Sequence, residues 1–255
     1  MAGTISIRKS IRWIPGPACE PTRTMVLTSP QGRFVDVRVL KKEEADGAVD
    51  NAEARDRSGH LPFARLDWAI AGTSTSTIVR TPDETIRRCR FEHWLDSRTA
   101  KPDAMPPDEG DMFPLADGLT LEKGRMVNPD TGVDTDYEEV WRDENVERGT
   151  EQECVVLRYD GYEDGIGHDI DERRGMIVKL GGYAQGFIKS RGEMAVGRWK
   201  MADHEEESDD KQRPRCVVRM GRVDWLPGEQ VFARRFSIGE QLQVGPLLWV
   251  VVEAV

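Results

Sequence analysis

The sequence predicts an all-β protein, a sandwich or a barrel, on three observations. Runs of β-branched and aromatic residues recur with period-2 alternation; clusters of Gly, Pro, Asn and Asp punctuate them every 8–15 residues or so; and no segment longer than about 12 residues sustains a 3.6-residue period. The chain has 255 residues. That length fits one large β domain or two domains of about 100–150 residues. Two barrel-like halves are expected, dividing near Glu144 to Gln152, with units spanning 1–146 and 147–255.

The clearest local unit is Met25 to Leu40. Met25-Val-Leu-Thr and Phe34-Val-Asp-Val-Arg-Val-Leu40 are alternating runs joined by Ser29-Pro-Gln-Gly32, in which Pro and Gly supply the turn dihedrals of a hairpin. In the second run Phe34, Asp36, Arg38 and Leu40 point one way. Val35, Val37 and Val39 point the other way, so that wholly apolar face meets a core. Lys41 to His60 is charged, Ala-rich and short of large apolar groups, and reads as a mobile loop. Leu66 to Thr73 and Arg88 to Asp96 resume as strands, and Pro102 to Gly118 reads as a Pro/Asp/Gly loop. Thr120 to Val127 and Thr135 to Arg142 flank the turn Asn128-Pro-Asp-Thr-Gly132. Glu153 to Tyr159, Gly175 to Lys189 and Cys216 to Met220 add strand-like sequence, with the pair Gly181-Gly182 inside one run. The continuous apolar run Leu247 to Glu253 fits a strand buried on both sides, or one that pairs across a homodimer interface.

Composition narrows the function. Lys and Arg total 36 against 46 Asp and Glu, a net charge of −10, which argues against sequence-independent nucleic-acid binding. No stretch approaches the roughly 20 apolar residues of a membrane helix. Met1 to Ile14 carries Arg8, Lys9 and Arg12 without the apolar block of a secretory signal, so a cytoplasmic protein is expected. The four cysteines (Cys19, Cys89, Cys154, Cys216) are widely separated, and the four histidines (His60, His93, His168, His204) show no HxH or HExxH spacing. Neither disulfides nor a metal site is expected. GxGxxG, GxxxxGK[ST] and GxSxG are all absent, so no cofactor is expected.

What remains is a set of aromatic and ionisable residues on strands. Trp68, Trp94 and Trp141 each sit in a strand-like run. Alternation places Arg90, Glu92, Trp94 and Asp96 on one face, and Tyr137, Glu139, Trp141 and Asp143 on one face of another strand. If these faces line a barrel, its cavity has apolar walls and a few convergent polar groups. A carboxylate desolvated by Trp has a raised pKa and serves as general acid or base, while Arg or Tyr stabilises a developing oxygen charge. The bland readings are a Trp-filled core, cross-strand surface ladders for Arg90 with Glu92, and a core or rim histidine at His93. Tyr183 and Gln185 stand beside glycines that permit close approach of a ligand, or simply barrel curvature.

Taken in order, several of these motifs resemble a fungal family, the Hri type, named for a yeast protein recovered as a partner of a casein kinase. They are Thr28-Ser-Pro-Gln-Gly-Arg-Phe-Val-Asp-Val-Arg38, Asp67-Trp-Ala-Ile-Ala-Gly-Thr73, His93-Trp-Leu-Asp96, and Glu122-Lys-Gly124 leading to Asn128-Pro-Asp-Thr-Gly132. Tyr137-Glu-Glu-Val-Trp141, Gly175-Met-Ile-Val178 leading to Gln185-Gly186, and Trp249 to Glu253 complete the set. The resemblance implies two lipocalin-like (calycin) antiparallel barrels packed together, and carries no catalytic residues with it. By analogy of fold, the expectation is a binder of an apolar or aromatic small molecule. It would act as a cofactor-independent cyclase or isomerase of secondary metabolism, closing a ring by adding a hydroxyl across an alkene in a prenylated aromatic polyketide. Trp68, Trp94 and Trp141, with Tyr183 and Gln185, would hold the ligand; Glu92 or Glu139 would move the proton, and Arg90 or Tyr137 would support the oxygen. The rival is a non-catalytic intracellular adaptor that engages a casein-type kinase through the acidic block Asp203 to Asp210.

Overall fold

Strand alternation, not helix periodicity, organises the described residues. The computed structural model describes residues 2–41, 60–80, 85–144, 146, 153–163, 171–201 and 213–255. The loop expected after Lys41 and the acidic block Asp203 to Asp210 lie outside them, as does most of the expected boundary. No helix among the described residues is long and apolar enough to cross a membrane.

Eight antiparallel strands, each paired with its neighbour in sequence, form a closed barrel. They are β1 (Thr4–Trp13), β2 (Thr22–Thr28), β3 (Arg33–Leu40), β4 (Leu66–Arg80), β5 (Thr85–Asp96), β6 (Asp108–Pro114), β7 (Leu119–Val127) and β8 (Asp134–Glu144). Pairing of β8 with β1, Tyr137 opposite Trp13 and Asp143 opposite Ser6, closes the ring. The β2–β3 hairpin turns at Gly32, whose φ of +79° suits glycine. Any Cβ there would also lie 2.4 Å from the Ser74 carbonyl oxygen, so the strand crossing beside the turn requires glycine twice over.

The second unit is a seven-stranded half-barrel built from β9 (Cys154–Glu163), β10 (Asp171–Leu180), β11 (Tyr183–Lys189), β12 (Met194–Met201), β13 (Pro214–Gly221), β14 (Gln241–Val244) and β15 (Leu247–Ala254). Their order is β13-β12-β11-β10-β9-β15-β14. The all-β expectation of two packed barrels holds, one of them closed. Gly181 and Gly182 sit in the turn between β10 and β11, not inside a strand, and Gly181 has a φ of +54°.

Two apolar layers flank the half-barrel. Cys154, Val156, Met176, Val178, Leu180 and Phe187 pack on the outer wall of the barrel, against Ile5, Leu27, Val35, Val37 and Val39. The apolar face predicted for β3 is therefore the seam between the units. On the other face, Val155, Leu157, Ile177, Ile188, Trp199 and Trp249 are covered by Val223, Trp225, Leu226, Val231 and Phe236. Two short 3-10 turns, Val223–Trp225 and Gly228–Phe232, carry most of that cover. The half-barrel is thus filled by its own chain, whereas the closed barrel is hollow.

Candidate functional site

The barrel encloses a cavity of about 530 Å³, within the range of small-molecule sites. Val26, Phe34, Ile70, Phe91, Met112 and Met126 give it apolar walls, and Asp36, Arg38, His93, Glu122, Tyr137 and Glu139 face it with polar groups. Each strand delivers alternate residues inward: Phe34, Asp36 and Arg38 from β3, and Tyr137, Glu139 and Trp141 from β8.

The polar groups form neighbouring clusters: an ion-pair network around Glu139, a Tyr137–Glu122 pair and a bridge at His93. Arg8 donates to Glu139 at 2.5 Å, to Glu20 at 2.9 Å and to the Thr22 hydroxyl at 2.9 Å. Arg38 donates to Asp36 Oδ2 at 2.9 Å and lies 3.8 Å from Glu139, so Glu139 stands between two guanidiniums. Tyr137 donates its hydroxyl proton to Glu122 Oε1 at 3.0 Å. Glu122 and Glu139 face each other in register on β7 and β8. Burial, and then the neighbouring Glu139 charge, push the Glu122 carboxyl up to about 8, against the opposing hydrogen bond from Tyr137. Burial beside Glu139 thus favours the protonated form of Glu122. Burial and the same two acids raise the Tyr137 phenol far above its ordinary value.

Two glycines make room for this pair. A Cβ on Gly110 would lie 2.4 Å from Glu122 Oε1, and one on Gly124 would lie 2.4 Å from the Tyr137 hydroxyl. On the opposite wall, His93 bridges Asp96 (3.0 Å from Nδ1) and Asp108 (3.1 Å from Nε2). Burial alone lowers an imidazole pKa, but the hydrogen bonds to Asp108 and Asp96 outweigh it and bring His93 to about 9, so the ring is cationic at pH 7. Asp96 also accepts from the Trp68 indole at 3.1 Å and the Arg98 amide at 2.6 Å. Burial raises a carboxyl, yet together with His93 these bonds hold Asp96 below its ordinary value. Among the described residues no group of His, Cys, Asp and Glu has the arrangement of a metal site.

Of the residues nominated from sequence, Tyr137, Glu139 and Trp141 face the cavity. Glu92 and Arg90 do not. They pair with each other at 3.2 Å on the exposed outer surface of β5, where Arg90 also meets Glu109. Trp94 shares that outward direction and packs at the seam, under the Arg158 guanidinium at 3.8 Å. The β4–β5 register steps from Gly72–His93 to Ala71–Leu95, so Trp94 is an extra residue in a bulge. The bulge breaks the predicted alternation and turns Asp96 inward while Glu92 and Trp94 stay out. Trp68 lies inside the barrel with Phe34 and Ile70, holding Asp96, but is not among the residues lining the cavity.

Tyr183 and Gln185 belong to the seam. Tyr183 packs on the apolar layer between the units. The Gln185 amide, wholly buried, donates to the carbonyls of Met25 (2.9 Å) and Val35 (2.8 Å) and accepts from Arg198 at 2.6 Å. Its amide is used by the barrel wall, so it is a fastener and not a ligand contact.

Sequence reasoning passed over Glu122, Asp36, Arg38 and Arg8, and read His93 as core or rim. One signal was available for β3: a strand whose opposite face is all valine carries Asp36 and Arg38 on the remaining face. Charged residues facing the hollow of a barrel mark a site. For Glu122, the flanking Gly110 and Gly124 become meaningful only once β6, β7 and β8 are in register.

The fold recurs in a crystal structure of the uncharacterized protein YLR301w from Saccharomyces cerevisiae. The two are similar over 100% of each chain with a TM-score of 0.67 at 15% sequence identity. No curated protein matches the sequence. The family model described as protein HRI1 matches residues 4–253, nearly the whole chain. Family and barrel together fit a lipocalin-like binding protein. The chain belongs to the HRI1 family.

Proposed function

We propose that the closed barrel binds one small molecule with an apolar or aromatic body. The observation that carries this reading is the barrel cavity of about 530 Å³, walled by Phe34, Ile70, Phe91 and Met112 with charged groups beside them. The test is fluorescence titration with pyrene, a neutral aromatic probe. Saturable one-to-one binding that Ile70→Trp abolishes, with thermal unfolding preserved, is the expected result. Pyrene that never saturates, or that binds Ile70→Trp equally well, overturns the reading.

Glu122 favours a second reading, cofactor-free isomerisation or ring closure. A protonated carboxyl beside an ion-paired carboxylate is a ready acid–base pair. In the addition of a phenol across a prenyl double bond, Glu122 would give its proton to the alkene carbon. The phenol oxygen would form the new C–O bond, and Glu139 would take the hydroxyl proton. Glu122 and Glu139 here take the role first assigned to Glu92 or Glu139. The probe is 2-prenylphenol, whose ring-closed product is the isomeric 2,2-dimethylchroman. Chroman formed by the protein and lost in Glu122→Gln supports the reading. No chroman above the buffer rate refutes catalysis of this closure and leaves binding untouched. An adaptor role toward a casein-type kinase draws no support from the described residues, because Asp203 to Asp210 lies outside them.

A further inference from the structure

The cavity opens at one end of the barrel, and strand order identifies it. Thr4, Gln31, Ser76, Arg87 and Asp143 line the cavity and are also exposed. Thr4 and Arg87 lie near the starts of β1 and β5, Gln31 just before β3, and Ser76 and Asp143 towards the ends of β4 and β8. In a barrel whose neighbouring strands all run antiparallel, those positions share one end. Two of these mouth residues carry charge. Asp143 stands on β8, three strands round from β5, and accepts from the Ser6 hydroxyl at 2.6 Å. The Arg87 guanidinium has no hydrogen-bond or ion-pair partner among the described residues. On the outer face of the same strand, by contrast, Arg88 pairs with Asp111 at 2.7 Å and Arg90 with Glu92 at 3.2 Å.

Arg87 heads an apolar wall. It shares the inward face of β5 with Phe91, which meets Phe34 edge-to-face at 5.8 Å, and Met112 lies opposite Arg87 in register on β6. Ser76, opposite Cys89 on β4, adds a hydroxyl to the same side of the mouth. The cations deeper in the cavity are already engaged. Arg38 donates to Asp36 at 2.9 Å and lies 3.8 Å from Glu139, and His93 lies between Asp96 and Asp108. A ligand carboxylate lowered to that depth would meet these acids and the Glu122 carboxyl. At the mouth it meets a guanidinium whose donors are unspent, and a guanidinium grips a carboxylate through two parallel hydrogen bonds.

We propose that the molecule bound in this barrel is a monocarboxylate with an apolar body, its carboxylate held at the mouth by Arg87 and its body inside along Phe91, Phe34 and Met112. The proposal rests on the binding reading above and deepens it to a ligand class and an orientation. An alcohol in the same pose would forgo the charge-assisted bonds, and an amine would bring a second positive charge beside Arg87.

The test is fluorescence titration of the full chain at pH 7 with three ligands that share one body: 1-pyrenebutyrate, 1-pyrenebutanol and 1-pyrenebutylamine. The carboxylate should bind about fivefold tighter than the alcohol, with the amine weakest, on the scale of a solvent-exposed ion pair. Salt at about 1 M should shrink that preference, since the mouth is open to solvent. Arg87→Gln should bring carboxylate and alcohol close to parity. Arg88→Gln, the same change of charge on the outer face, should keep the preference. Alcohol equal to carboxylate, or amine the tightest, overturns the carboxylate while the binding reading survives. A preference that outlasts Arg87→Gln, or one lost equally in Arg88→Gln, overturns the assignment to Arg87. Pyrene binding with none of the three ligands bound also overturns the carboxylate. Failure of pyrene as well removes the binding reading itself, and this one with it.

Discussion

Replacing Glu122 by Gln should make the protein more stable, and increasingly so as the pH rises. The carboxyl has an ordinary value of 4.5 when exposed and about 8 when buried beside Glu139. The unfolded chain therefore gives up this proton at a lower pH than the folded one. Below 4.5 both states hold it and the group costs nothing. As the pH rises from 4.5 towards 8, the unfolded state ionises freely while the folded state does not, and stability is lost across that window. One pKa unit corresponds to about 1.4 kcal/mol, so the penalty is about 3 kcal/mol at pH 7 and is bounded at about 5 kcal/mol above pH 8. Gln has the same shape, stays neutral and still accepts the Tyr137 hydroxyl proton, so it escapes the penalty. Urea unfolding of both proteins at pH 5, 6, 7 and 8 measures the difference directly. The midpoint of Glu122→Gln should nearly match the parent at pH 5 and exceed it by about 1 M at pH 7. Parallel curves, with a gap that does not grow with pH, would refute the protonated state of Glu122 and with it the acid–base reading of the site.

Three further perturbations probe the rest of the network and the seam. His93→Asn should destabilise by about 2–3 kcal/mol at pH 6, with the gap closing towards pH 10; the imidazolium contributes fully below 6.5 and its contribution is lost as the pH rises through about 9. Denaturant unfolding at the two pH values checks the sign. Arg8→Met removes the partner that Glu139 and Glu20 share, and breaking such a buried pair costs about 3–5 kcal/mol, readable as a fall in thermal midpoint. Gln185→Leu leaves the Met25 and Val35 carbonyls and the Arg198 guanidinium short of a partner, at about 2–4 kcal/mol by urea unfolding. Pyrene binding should persist in that variant, since Gln185 does not reach the cavity.

Strands whose two faces differ in polarity were readable; those whose pattern is broken were not. The Met25–Leu40 hairpin shows alternation and turn chemistry plainly, and β2 and β3 lie where those signals place them. β1 escaped because Arg8, Lys9 and Arg12 interrupt its isoleucines, although Arg8 is buried through ion pairs and not through hydrophobicity. β6 escaped inside a segment rich in Pro, Asp and Gly, where Gly110 is a strand residue that clears space for the Glu122 side chain of the neighbouring β7. At the site, direction was legible on β8 and failed on β5. A one-residue bulge at Trp94 is a tertiary event, set by the approach of β4 at Gly72, where a Cβ would meet the Glu92 carbonyl oxygen. Nothing in the local pattern of Arg88 to Asp96 announces it. Charge pairing at the β1–β8 closure, such as Arg8 with Glu139, joins residues 131 positions apart and belongs to the same class of information.

Strand β3 serves two masters. Its even-numbered side chains meet whatever occupies the hollow, and its odd-numbered valines are the surface on which the neighbouring sheet rests. Backbone carbonyls of Val35 and Val37 are gripped from that neighbour by Gln185 and Arg198. The hollow and the companion sheet therefore share one ribbon a single residue thick, and any side chain changed on one face of it is felt by backbone that the other face already holds.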